Sequence, residues 1–160
     1  MVDVHSKEIR RKNMQAIKKE NTFIEIRINN LLKNLDIPFN FQIKELPGKP
    51  DFVIEQYKAI IFVHGCFWHK HNCNLFKLPN SNTEFWLNKI NDNCKRDTKN
   101  IQKLAKLGWK ILIIWECALK GKFKLTDEQL IDRIEEWLCS HTKNAEIDTE
   151  GLKKSQINLQ

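Results

Sequence analysis

Long apolar runs are the first thing missing. The longest, Ala59-Ile-Ile-Phe-Val63 and Ile111-Leu-Ile-Ile-Trp115, hold five residues each, against the ~20 a membrane-spanning helix needs. The opening stretch MVDVHSKEIRRK has no apolar core of the signal-peptide kind, so a cytoplasmic location is expected. No internal repeat recurs, and no stretch rich in Pro, Gly or Ser marks a linker between large domains. A chain of 160 residues therefore suits one main domain with a real core. A disulfide framework is excluded as well. The five cysteines are odd in number, no export signal accompanies them, and two lie in a His-rich stretch, so reduced thiols and metal binding are expected.

What is present starts with charge. The net charge is +7, with 41% apolar and 29% charged residues, an ordinary soluble composition whose basic excess favours an anionic partner such as nucleic acid.

Ser6 can cap a basic helix, KEIRRKNMQAIKK. Thr22 opens a better one, in which Ile24, Ile28, Leu31, Leu32 and Leu35 form a buried stripe before Pro38 stops it. Phe39, Phe41 and Ile43 alternate like a half-buried strand. After the turn Leu46-Pro-Gly-Lys-Pro50 come short strands at 51–54 and 59–63, then a loop over 74–82. Helical sequence starts at Thr83, with a break expected near Asn91 to Asn93, and runs to Leu107 with Gly108 as its stop. Trp109 to Glu116 reads as a buried strand. Thr126 and Gln129 form a capping box for a last helix carrying Leu130, Ile131, Ile134, Trp137 and Leu138. The expected organisation is a basic arm at 1–20, a central domain at 21–139 and a loosely held polar tail at 140–160. The fold class is α/β, a mixed sheet with helices on its faces.

The densest chemistry lies in HGCFWHKHNC, residues 64–73. Cys66, His71 and Cys73 are close enough for one loop to wrap a tetrahedral ion, and Cys117, just after the strand 109–116, can supply the fourth ligand. Three thiolates and an imidazole close the coordination, which makes a structural zinc site. Cys94 and Cys139 suit buried free thiols. Asp51 opens a strand beside the one ending at Val63-His64, so a carboxylate, a carbonyl and imidazoles converge. Such hard donors suit Mg²⁺ beside a phosphodiester, although an aspartate after a turn needs no function. Once zinc takes His71, His64 or His69 can act as a general base. Glu25 closes a Thr22-x-x-Glu25 capping box or faces the metal. Phe67, Trp68 and Trp86 can stack against bases or cover the zinc loop. Lys95, Arg96, Lys99, Lys103 and Lys106 read as a solvated helix face.

The segments VHSKEIRRKNMQAIK, LPGKPDFVI, IFVHGCFWHKHNC, TEFWLNKI and GWKILIIWECAL, in that order, resemble the very short patch repair (Vsr) endonucleases, from about residue 3 to about residue 150. The resemblance implies a restriction-endonuclease-like core and a Mg²⁺-dependent nickase. It would cut 5′ of the thymine in T:G mismatches left by deamination of 5-methylcytosine. Asp51 would bind magnesium, with His69 as general base and His64 and Glu25 supporting metal waters and phosphate. Cys66, His71, Cys73 and Cys117 would hold zinc. Phe67, Trp68 and Trp86 would form an aromatic wedge, and Met14 would probe the minor groove. The implied partner is duplex DNA carrying the mismatch, met by a monomer, with mismatch-repair proteins and a DNA polymerase as functional partners.

One departure stands out. Well-known members carry Thr where this chain has Val63: if the metal ligand there is the backbone carbonyl, Val supplies it equally well, and if the hydroxyl contributes, the rate should fall. The common nuclease pattern of Asp followed by Glu-x-Lys is also absent. Two other readings stay open: a zinc-stapled DNA-binding module without catalysis, and a zinc hydrolase using His69 and His71 as a ligand pair.

Overall fold

The structure, a computed structural model, describes residues 23–155. Met14, the basic helix expected after Ser6 and the Thr22 half of the capping box lie outside the described residues.

Helix α1 covers 23–34. It is followed by β1 (Asn40–Phe41), β2 (Phe52–Ile54), a 3-10 turn (Glu55–Tyr57) and β3 (Ala59–His64). Helix α2 (Thr83–Lys106), β4 (Lys110–Trp115), α3 (Glu116–Leu119), α4 (Asp127–Cys139), β5 (Asn144–Asp148) and β6 (Gly151–Lys154) complete the order. The six strands form one sheet in sequence order, β1 to β6. β3 pairs parallel with β4, and β4 with β5, while the outer pairs are antiparallel. The expected mixed sheet flanked by helices is what forms.

The period of two along a strand divides the core between the two faces. Ala59 and Ile61 of β3, with Leu112 and Ile114 of β4, pack beneath the α1 stripe (Ile24, Ile28, Leu31, Leu32) and Leu130, Ile134 and Trp137 of α4. Ile60, Phe62, Ile111, Ile113 and Trp115 point the other way and meet Ile101 and Leu104 of α2. Both faces are covered, so the central strands read as continuous apolar runs.

Two side chains lock the helices. Arg27 Nη1 donates to Leu119 O at 2.7 Å and Nη2 to Leu125 O at 2.7 Å, while Nε reaches Asp127 Oδ1 at 3.0 Å. Lys110 Nζ donates to Trp137 O at 2.7 Å and Ser140 O at 3.1 Å, joining the Ser140 N–H and hydroxyl that also cap Trp137 O at the end of α4. The Thr126–Gln129 capping box is present in both halves.

Several expectations are corrected. Residues 91–93 do not break α2, which is continuous. Asn91 Oδ1 accepts from Lys70 Nζ and Asn93 Nδ2 donates to Trp68 O, so these amides bond the neighbouring loop and do not compete with their own helix. The alternation at Phe39, Phe41 and Ile43 does not give one buried face. Gln42 has φ 54°, and beyond it the chain changes sides. Phe39 packs against the α1 face and Ile43 against the α2 face, while Phe41 is exposed. Part of the expected tail is regular structure: Asn144–Asp148 and Gly151–Lys154 are two strands of the sheet, with Ala145, Glu146, Ile147 and Asp148 buried, while 156–160 lie outside the described residues. Of the cysteines read as buried thiols, Cys139 is exposed and Cys94 half-buried.

Candidate active site and metal centre

The parallel register of β3 and β4 builds the site. His64 is the partner of Trp115, so two residues further on each strand brings Cys66 beside Cys117. Cys66 N–H donates to Glu116 Oε1 at 3.1 Å, tying the two strand ends together. The loop then coils, with His69 N–H bonded to Gly65 O and His71 N–H to Cys66 O. This returns His71 Nδ1 to 3.5 Å from both Cys66 Sγ and Cys117 Sγ. The ligand atoms of Cys66, His71, Cys73 and Cys117 all lie within 4.8 Å of one another. A tetrahedral zinc site needs ligand–ligand separations of roughly 3.5–3.8 Å, so this donor set fits such an ion. Its electrostatics ask for one. Against its neighbour Cys66, and with His71 beside it, Cys117 is pulled down to about 5. Cys66, facing that thiol and buried, is driven far up. A cation among these sulfurs would offset their mutual repulsion and favour loss of the second proton.

The acidic part stands at the start of β2. Gly48, at φ 77°, lets the 46–50 turn pass under α2, where a Cβ would come within 3.1 Å of Asn100 Cβ. Pro50 then delivers Asp51, whose Oδ2 accepts the Val63 N–H at 2.7 Å. Burial, and then the Glu25 carboxylate nearby, raise Asp51 to about 7 against the lowering effect of the Val63 bond. Two carboxylates held together in a poorly hydrated place are the donors a hard divalent cation requires.

Between acid and thiols stand the imidazoles. His64 is buried and stacks on His69, rings 3.8 Å apart and 6° from parallel. Burial, with His69 next to it, holds His64 well below the usual histidine range and therefore neutral. His69 Nδ1 pairs closely with Asp97 Oδ2 of α2. The ligand atoms of His64, His69 and Asp97 also lie within 4.8 Å of one another. Because the rings are stacked, their in-plane lone pairs run parallel and do not converge on one point, so this cluster suits proton handling better than chelation. Asp51, Val63, His64, His69 and Asp97 share a cavity of about 190 Å³. His69 faces Asp97 while His71 faces the cysteines, so the two do not form a ligand pair.

Phe67, Trp68 and Trp86 come together as expected. Phe67 meets Trp68 at 5.1 Å and Trp86 at 5.9 Å, and the two indoles meet at 6.0 Å. All three are half-buried, and Lys89 Nζ lies over both indoles, 5.7 and 5.9 Å from their centroids. Lys95, Arg96, Lys99, Lys103 and Lys106 are exposed on α2.

Asp97, Glu116 and Trp115 were not singled out from sequence. A signal for Asp97 exists: Ile90, Cys94, Asp97, Ile101 and Leu104 follow the helical rhythm of the inward face of α2. An acid on that stripe has to find a partner.

A carboxylate and a paired imidazole in one cleft, beside three cysteines and a histidine clustered at metal-ligand spacing, are donors of the kind that metal-using nucleases employ. Comparison with known proteins agrees. The family model described as DNA mismatch endonuclease Vsr matches residues 2–75. The chain is 53% identical over 152 residues to the DNA mismatch endonuclease Vsr of Escherichia coli (strain K12), covering 95% of this chain and 97% of that protein. It is 41% identical to the type II nicking enzyme V.NmeAIP of Neisseria meningitidis, over 76% of this chain and 87% of the relative. To V.XorIIP of Xanthomonas oryzae pv. oryzae it is 40% identical, over 74% and 88%. The chain belongs to the Vsr family of DNA mismatch endonucleases. No helix among the described residues is long and apolar enough to cross a membrane.

Proposed function

We propose that the chain nicks one strand of duplex DNA on the 5′ side of the thymine in T:G mismatches left by 5-methylcytosine deamination. It would act as a monomer in the cytoplasm. The observation that carries this reading is the shared cavity in which the Asp51 carboxylate, fixed by the Val63 N–H, faces the His69–Asp97 pair.

Magnesium would be held by Asp51 and the Val63 carbonyl, with waters supported by Glu25, and would supply Lewis-acid polarisation of the scissile phosphate. Every other part is done by the chain. Asp97 accepts the Nδ1–H of His69, which leaves Nε2 bare to take a proton from the attacking water. Neutral His64, stacked against that ring, fixes its plane and repels no incoming proton. The cluster of Phe67, Trp68 and Trp86 offers aromatic faces for insertion beside the mispair, where unstacking costs least. Cys66, His71, Cys73 and Cys117 would hold zinc, and the ion would serve as a staple that aims His69 and the aromatics from one loop.

The test is incubation of purified protein with a T:G duplex and Mg²⁺ across a panel of flanking sequences, alongside Asp51→Ala. A nick 5′ of the thymine, lost in the variant, is expected. Binding of the mismatch without a nick in any context would leave the DNA-binding module as the better description.

A further inference from the structure

Strand β5 has a side-chain pattern that the core alone does not explain. Ala145 and Ile147 enter the apolar core, while Glu146 and Asp148, between and after them, are buried on the opposite face. Each carboxylate meets part of the site. Glu146 Oε1 accepts the Trp115 Nε1–H at 2.7 Å. Asp148 Oδ2 lies 3.7 Å from His71 Nε2, the ring nitrogen turned away from the cysteine sulfurs. Trp115 joins the two halves. Its indole stacks on His71 at 4.2 Å and 9°, and stands edge-on to His64 at 5.5 Å and 71°. Asp148 is itself fixed by Lys153 Nζ at 2.7 Å and by the Glu150 N–H at 2.9 Å. The β5–β6 hairpin therefore presents a preset carboxylate to the back of the imidazole.

We propose that Glu146 and Asp148 are positioning residues through which the C-terminal hairpin braces the zinc cluster and, by way of Trp115, the catalytic histidines. Asp148, a fixed negative charge 3.7 Å from His71 Nε2, favours by charge the tautomer with hydrogen on Nε2 and a bare Nδ1 facing the Cys66 and Cys117 sulfurs, in the manner of carboxylates behind metal-binding histidines. Glu146 holds the indole at one angle, so His71 and His64 rest against a single rigid wall. The brace rests on the zinc and general-base assignments proposed above.

The test uses the full chain loaded with zinc, and in parallel with cobalt(II), whose visible absorption reports ligand geometry. Asp148→Ala should release zinc to a competing chelator about 10–100-fold faster than the parent and shift the cobalt bands. Asp148→Asn, equal in shape and still an acceptor, should fall between the two. Glu146→Ala should keep zinc but lower kcat with KM little changed, and Glu146→Gln should recover most of that loss. Lys154→Ala, exposed on the same hairpin, should match the parent throughout. Parental zinc release and cobalt spectra in both Asp148 variants would overturn the brace, as would parental kcat in Glu146→Ala. Zinc exchange is read without DNA, so failure of the brace and failure of the nickase reading register separately.

Discussion

A hydrogen bond decides which nitrogen of His69 is available. Asp97 pairs with Nδ1, which suits a carboxylate accepting a proton there and leaves Nε2 as the basic nitrogen. In Asp97→Asn an amide N–H can face Nδ1 and favour the opposite tautomer. Single-turnover nicking should then fall by about 10²–10⁴-fold, the range for mispositioned general bases, while zinc content and DNA affinity stay at parental levels. His69→Ala should behave alike, and loss of zinc in either variant would show the ligand assignment to be wrong. Val63 gives an opposite expectation. Its N–H already serves Asp51, and the proposed metal contact is its carbonyl, so Val63→Thr should leave the nicking rate within about threefold, under ~1 kcal/mol in barrier. A larger gain would assign a role to the hydroxyl that this chain lacks.

At the scale of elements, Arg27 does for the helices what register does for the strands. Its guanidinium bridges α1 to the turn between α3 and α4 through two carbonyls and Asp127. The exposed Asp127 adds little, so the two carbonyls matter most. Arg27→Ala should lower stability by about 2–3 kcal/mol, read as a shift in urea midpoint. Arg27→Lys should recover only part, since one ammonium cannot reproduce the planar fork. Which elements sequence can announce follows from the range of the forces involved. The stripe of α1, the runs of β3 and β4 and the capping box of α4 declare themselves within a few residues. The continuity of α2 through Asn91 and Asn93 depends on partners about 25 residues away. Strand β5 was illegible for a related reason: its polar side chains are buried toward Trp115 and His71, so a site-facing strand looked like a polar tail. Cys66, His71, Cys73 and Cys117 were legible as a set because chemistry restricts what cysteine and histidine do together. Asp97 is hidden by its basic neighbours Lys95, Arg96 and Lys99 and shows only when its place on the Ile90–Cys94–Ile101–Leu104 stripe is read.

Over the whole molecule, one ten-residue loop joins three functions, and zinc is the proposed reason that it can. Within 64–73 lie three of the four thiolate and imidazole ligands, both stacked imidazoles and two of the three clustered aromatics. That loop has little regular structure, and Cys66 and His71 meeting Cys117 hold it to the sheet together with the Cys66 N–H on Glu116 and the His71–Trp115 stack. Without a cation, three sulfurs would face one another under strong mutual repulsion or retain their protons, and the loop would lose its anchor. Stripping zinc with a thiol-competitive chelator should therefore abolish mismatch binding and nicking together. It should also lower Tm by roughly 6–20 °C, given ~2–4 °C per kcal/mol at this size and ~3–5 kcal/mol from a structural zinc. Mg²⁺ alone should restore neither activity, whereas Zn²⁺ followed by Mg²⁺ should restore both. Cys73→Ala should reproduce the stripped protein even in excess zinc. If stripped protein still nicks a T:G duplex in Mg²⁺ at the parental rate, the loop is held by packing alone, and Phe67, Trp68 and His69 owe their placement to the aromatic cluster and α2.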